Sequence, residues 1–176
     1  AVNRVLAELP PEMPGIVVVQ HMPKGFTDLY AKRLDASCRL RVVQARDRQP
    51  VEAGTVYIAP GDLQMRVEKL RGGGYLLRVA DGERVSGHRP SVNVLFRSVA
   101  QAAGKDALGV LLTGMGDDGA RGLLEMRRAG AETIGQNAES SVVYGMPKAA
   151  YEIGAVSRQL ALEEIPRQMM EYAYRR

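Results

Sequence analysis

Apolar, largely β-branched residues gather in short runs at positions 15–20, 39–44, 55–59, 107–113 and 132–136. Within each run the apolar character is continuous rather than alternating, which predicts parallel strands covered on both faces. Segments 27–36, 91–103, 118–129 and 147–153 instead space their apolar residues at helical intervals. Strands alternating with helices predict an α/β fold, doubly wound, with a mostly parallel sheet flanked by helices. One interval departs from this rhythm. Two strand-like runs, 65–70 and 75–80, flank Arg71-Gly72-Gly73-Gly74 and predict one antiparallel β-hairpin turning on glycines that accept positive φ. Val2, Val5, Leu6 and Leu9 have helical spacing, so the chain opens on a helix whose preceding strand and turn are expected outside these residues. Residues 163–176 set Ile165, Met169 and Tyr172 on one face and predict a closing helix, with Met169-Met170 as core filler.

Length and composition narrow the class. A chain of 176 residues with 45% apolar content fits a single domain over 1–176. Cys38 is the one cysteine, so neither an internal disulfide nor a zinc cage of cysteines can form, which suits a reducing, cytoplasmic setting. No apolar run approaches the roughly 20 residues that span a bilayer, and no membrane insertion is expected. The net charge of +4 comes from 24 basic residues interleaved with 20 acidic ones. That is a solvated surface rather than a basic stripe, and with no Trp and two Phe, nucleic-acid binding is not expected.

The stretch Leu111-Leu112-Thr113-Gly114-Met115-Gly116-Asp117-Asp118-Gly119-Ala120 carries the candidate chemistry. Gly114 to Gly119 spell the dinucleotide fingerprint GxGxxG, and a nucleotide-binding oxidoreductase is therefore one reading. Charge argues against it: Asp117 and Asp118 would repel a pyrophosphate where helix amides should attract it. Glu139, at about the right distance for a ribose-binding acid, falls beyond the end of its strand. One aspartate is expected to cap the helix, leaving the other free to orient a histidine. His21, after the first strand, lies at the same carboxyl-end rim, and Asp with His makes the two supporting members of a nucleophilic triad. A purely structural role for both, in a non-catalytic docking module, is the second alternative. The nucleophile is harder to find. Ser91 reads as an N-cap, Ser86, Ser140 and Ser141 lie in polar loops, and Cys38 shows no local base; none sits on a strand-to-helix elbow.

Several motifs in order along the chain resemble one family. Gln20-His21-Met22-Pro23, Gly25-Phe26-Thr27, Tyr57-Ile58-Ala59-Pro60-Gly61-Asp62, Arg89-Pro90-Ser91-Val92, residues 112–120 and Tyr144-Gly145-Met146-Pro147 are together similar to the catalytic domain of the bacterial chemotaxis protein-glutamate methylesterases, CheB. The resemblance implies a cofactor-free hydrolase that removes methyl groups from γ-glutamyl methyl esters on the cytoplasmic helices of chemoreceptors and deamidates certain receptor glutamines. It implies His21 as general base, Asp118 as its orienting acid, and the backbone amide of Met115 as an oxyanion-hole donor; Asp117 falls at a variable position. The family's serine lies on a turn before the first helix, so it is expected upstream of Ala1, and residues 1–176 alone are expected to show little esterase activity. A receiver domain is the expected regulatory partner in the full-length protein. Gln64, often histidine in the family, and Asn93, often aspartate, depart from the commoner pattern, which bears on cleft detail; His88 is a candidate cleft residue.

Overall fold

The computed structural model describes residues 1–176. Its first half runs α1 (Val2–Ala7), β1 (Ile16–Val18), α2 (Thr27–Ser37), β2 (Arg41–Gln44) and β3 (Thr55–Ile58). The three strands are parallel in the order β1-β3-β2. A hairpin follows, β4 (Gln64–Lys69) against β5 (Tyr75–Ala80), and its turn closes through Leu70 N–H donating to Gly74 O at 3.0 Å. The second half runs α3 (Val92–Ala102), β6 (Leu108–Leu111), α4 (Ala120–Arg128), β7 (Glu132–Gln136), α5 (Met146–Glu152), β8 (Arg158–Leu160) and α6 (Ile165–Tyr174). Its strands are also parallel, in the order β6-β7-β8.

The predicted parallel sheet is thus present as two three-stranded ladders. The free edges of both ladders, β1 and β6, line one apolar cleft of about 220 Å3 together with Val2, Val5 and Leu6. Side chains alternate across β3 as the strand period demands. Val56 and Ile58 enter a core shared with α1, α2 and α6, whereas Tyr57 enters the other, shared with the hairpin, α3, α4 and α5. Continuous apolar strands are the consequence of covering both faces. No helix is long and apolar enough to cross a membrane.

Element boundaries shift by a few residues from the sequence expectation, mostly inward. The helix expected to start at 118 starts at Ala120, because Asp118 is drawn to a different helix. Strand β8 was not anticipated. It has three residues, two of them exposed and polar, and no β-branched residue, so its pairing with β7 is a tertiary outcome rather than a propensity.

Candidate active site

Both ladders end at one rim. His21 lies three residues past β1, and the 113–119 turn follows β6, so the two segments emerge where strand carboxyl ends gather. There His21 Nε2–H donates to Asp118 Oδ2 at 2.7 Å across 97 residues of sequence. The imidazole is partly open, its side chain 22% exposed, while the carboxylate is shut away from water. With Nε2 committed to Asp118, Nδ1 is the ring atom left to accept a proton.

Asp118 holds more than the histidine. Its carboxylate also accepts from Ser91 Oγ at 2.7 Å, Val92 N–H at 2.7 Å and Asn93 N–H at 3.1 Å. Burial alone would push this carboxyl up, but the donation from His21, Ser91, Val92 and Asn93 outweighs it, and the group stays below the ordinary carboxylate range. It is therefore ionised in the native protein.

Two sequence expectations are corrected here. The sequence divides capping and histidine orientation between two aspartates, yet Asp118 does both, and the helix it caps is α3 rather than α4, which follows it in the chain. Asp117 is exposed. Ser91 does stand at the N-cap position of α3, but its hydroxyl makes no cap bond and serves Asp118 instead. Asn93 returns the favour: its Oδ1 accepts from Gly119 N–H at 3.1 Å and Gly122 N–H at 2.8 Å, satisfying the start of α4. The start of α3 is thus capped from the turn that precedes α4, and the start of α4 from the first turn of α3. The two can approach this closely because a Cβ at Gly122 would sit 2.7 Å from Phe96 Cβ.

The loop after β6 is braced from one side by residues 143–146. Gly114 N–H donates to Val143 O at 3.1 Å, Met146 N–H donates to Gly114 O at 2.8 Å, and Thr113 exchanges two bonds with Val143 through its hydroxyl. A Cβ on Gly145 would lie 2.6 Å from Gly114 O, so only glycine allows the two loops to touch. Met115 sits at the crest, 79% exposed, and its backbone N–H makes no hydrogen bond within the protein.

His88 belongs to the site. It ends a two-residue turn, Val85 to His88, closed by reciprocal 2.9 Å backbone bonds with Ser86 and Gly87 both at positive φ. The turn sets the His88 ring against that of His21. Gln64, fully buried, donates to Glu83 O and His88 O and accepts from Ser91 N–H, while Asn93 Nδ2 donates to Ser86 Oγ. The two departures from the family pattern are thus side chains that seat this turn. The Ser-Gly dipeptide was a turn signal in the sequence; nothing local revealed that the turn would fold onto His21.

None of the candidate nucleophiles bonds to His21. Ser91 is buried and committed to Asp118, Ser140 Oγ donates to Asn137 Oδ1, Ser141 Oγ donates to Asn137 O, and Ser86 accepts from Asn93. Burial raises the Cys38 thiol, against a lowering bond from Ser37, so it is not an activated thiolate. No group of three or more His, Cys, Asp or Glu side chains is arranged to ligate a metal ion.

Residues 1–169 match the family model described as CheB methylesterase. A protein-glutamate methylesterase/protein-glutamine glutaminase of group 3 operon from Rhodopseudomonas palustris is 54% identical over 172 residues, which cover 98% of this chain and 47% of that protein. A similarly named protein from Hahella chejuensis is 53% identical over 171 residues, covering 97% of this chain and 46% of the relative. The solved catalytic domain of Thermotoga maritima CheB methylesterase superposes with a TM-score of 0.93 at 35% identity, covering 97% of this chain and 90% of that one. The chain spans about half the length of the curated relatives it matches.

Proposed function

The chain belongs to the CheB methylesterase family, and from that premise we propose that it hydrolyses γ-glutamyl methyl esters, and deamidates glutamines, on the cytoplasmic helices of chemoreceptors. The observation that carries the reading is the 2.7 Å bond between His21 and an ionised, buried Asp118 at the rim where both strand ladders end.

In this reaction a serine hydroxyl attacks the ester carbonyl while His21 Nδ1 takes its proton. Asp118 keeps the imidazole in the required tautomer and stabilises the imidazolium without taking the proton itself. The carbonyl oxygen gains charge as the tetrahedral intermediate forms, and the unpaired Met115 N–H is the donor at hand; such donors contribute about 3 to 4 kcal/mol to transition-state stability. His21 then returns the proton to the departing methoxide, which leaves as methanol, and water deprotonated by His21 releases the glutamate. In deamidation the leaving group is ammonia.

The serine is best supplied by a strand laid between β1 and β6. Both edges are free, both line the same apolar cleft, and His21, Thr113 and Gly114 stand at its end. A parallel strand there would satisfy two rows of backbone groups and bring its carboxyl end to His21. The relatives' remaining length is ample for a receiver domain controlling access to the site. A dinucleotide reading has no comparable support, since the Gly119 and Gly122 amides at the start of α4, which a phosphate would need, already donate to Asn93 Oδ1.

The test is methanol release from methylated receptor by full-length protein against His21→Ala. Loss of release in the variant, with an unchanged melting temperature, supports the assignment; equal release would remove His21 from the mechanism.

A further inference from the structure

Beside His21 the rim opens into a polar recess of about 460 Å3, distinct in character from the apolar cleft between the ladders. Its charged lining consists of Lys24, Asp62, Arg84 and Arg89, and His21 and His88 form its wall. Arg89 is already satisfied. Its guanidinium donates to Asp62 Oδ1 from Nε at 3.0 Å and Nη2 at 2.5 Å, and its Nη1 donates to Gly82 O at 2.7 Å. That pairing uses the one carboxylate in the recess and leaves Lys24 and Arg84 without any acidic partner within 4.0 Å. Both are exposed. Their charges nevertheless reach inward, since both help hold the Asp62 carboxyl low, after the larger contribution of Arg89.

An electropositive recess that shares a wall with the general base is placed for the substrate rather than for the fold. A substrate that brings its ester to His21 sets its neighbouring side chains over this recess, and two unpaired cations there favour a carboxylate. We propose that the Lys24 and Arg84 recess is a carboxylate subsite that selects substrates carrying an acidic residue within about one helical turn of the modified glutamyl. The inference rests on the methylesterase reading and names which esters that site prefers. Lys24, in the segment after β1, and Arg84, ahead of the His88 turn, bring their charges to one recess from two distant segments of the chain. A salt-screened pair of charges, rather than a buried clamp, sets the preference.

The experiment uses full-length protein and two helical peptides, each with a central γ-methyl glutamyl. The flanking residues within one turn are Glu in one peptide and Gln in the other. Wild-type protein is expected to turn over the acidic peptide with roughly fivefold higher kcat/KM, the difference lying mainly in KM and shrinking in 1 M NaCl, as exposed charge pairs do. In K24Q/R84Q the ratio falls to near one, and in K24E/R84E it inverts. Circular dichroism melts check that both variants fold. An acidic-to-neutral ratio that is the same in wild type and both variants overturns the subsite, as does a wild-type ratio of one. Absence of His21-dependent methanol release from either peptide, and from methylated receptor, is a failure of the methylesterase reading instead.

Discussion

His88 lies flat on His21, the two imidazole planes within 4° of each other and their centroids 3.6 Å apart. Asp118 fixes one edge of the His21 ring and His88 closes one face, so the free Nδ1 is aimed by two contacts at once. Burial, and then the charge of His21, hold the His88 imidazole below its ordinary range; Arg84 adds to this, and Asp118 and Asp117 oppose it. His88 therefore faces its neighbour as an uncharged ring.

Replacing His88 with Ala is expected to lower kcat about tenfold with a smaller change in KM, as loss of ring alignment does. His88→Lys, which keeps a permanent charge against the imidazolium, should lower kcat further. Steady-state kinetics across pH 6 to 9 on methylated receptor would check both, and equal kcat in all three proteins would leave the stack without a role.

The same depressed His88 value has a consequence for stability. An unfolded histidine takes up its proton near pH 6.5, whereas His88 in the fold resists it until lower pH. The unfolded chain then binds more protons, and stability declines as pH falls through that range. His88→Gln is expected to flatten this part of the curve; urea midpoints between pH 8 and 5 would reveal it. Lys24, Arg84, Arg89, Asp62, Asp117, Asp118 and His21 all face this part of the cleft and stay unchanged in the variant.

Asp118 joins His21 to the start of α3 through its hydrogen bonds, beside the orienting role proposed for it. Asp118→Asn keeps the shape but offers one acceptor oxygen to donors from His21, Ser91, Val92 and Asn93. A loss of about 3 kcal/mol in folding stability at pH 7 is expected, and kcat should drop by about 10^3 to 10^4 as the histidine loses its tautomer. Because the folded carboxyl is held low, its stabilising contribution is complete above about pH 4. It fades as pH falls further, and the variant's stability should lack that acid-side decline. Chemical denaturation at pH 7, 4 and 3 distinguishes the two.

Asn93 separates capping from catalysis. Asn93→Ala strands the amides of Gly119 and Gly122 and frees Ser86, for an expected cost of about 2 kcal/mol. Asn93→Asp retains the acceptor oxygen and should remain within about 1 kcal/mol of wild type. Thermal melts of the two variants decide whether the reciprocal cap matters as argued.

Gly145 packs directly against the backbone of the 113–116 loop. A methyl group there would fall 2.6 Å from Gly114 O and 3.1 Å from Gly116 N, so Gly145→Ala should displace the crest that bears the Met115 amide. The expected result is a fall in kcat of roughly tenfold or more, in line with loss of an oxyanion donor, while the melting temperature changes little. A variant with full kcat would move the oxyanion donor elsewhere.

Much of this was legible in order along the chain. The apolar runs marked five of the parallel strands, the glycine tract marked the hairpin, and the pairing of a strand-end His21 with the acids after Thr113 marked the rim. Strand β8 escaped because a three-residue edge partner has too little pattern to register. Gln64 and Asn93 stood out as departures bearing on the cleft, but their partners escaped because a buried amide looks, in sequence, like any solvated one.

By itself the sequence determined the alternation of strands and helices, the faces they bury and the residue types available at the rim, since each of these depends on neighbours a few positions away. Tertiary structure alone decided that Asp118 caps α3 while Asn93 of α3 caps α4, that His88 folds onto His21, and that Lys24 and Arg84 share one recess. Such contacts join residues tens of positions apart, and hydrogen-bond partners at that separation are chosen by the packing of whole elements, which no local pattern encodes.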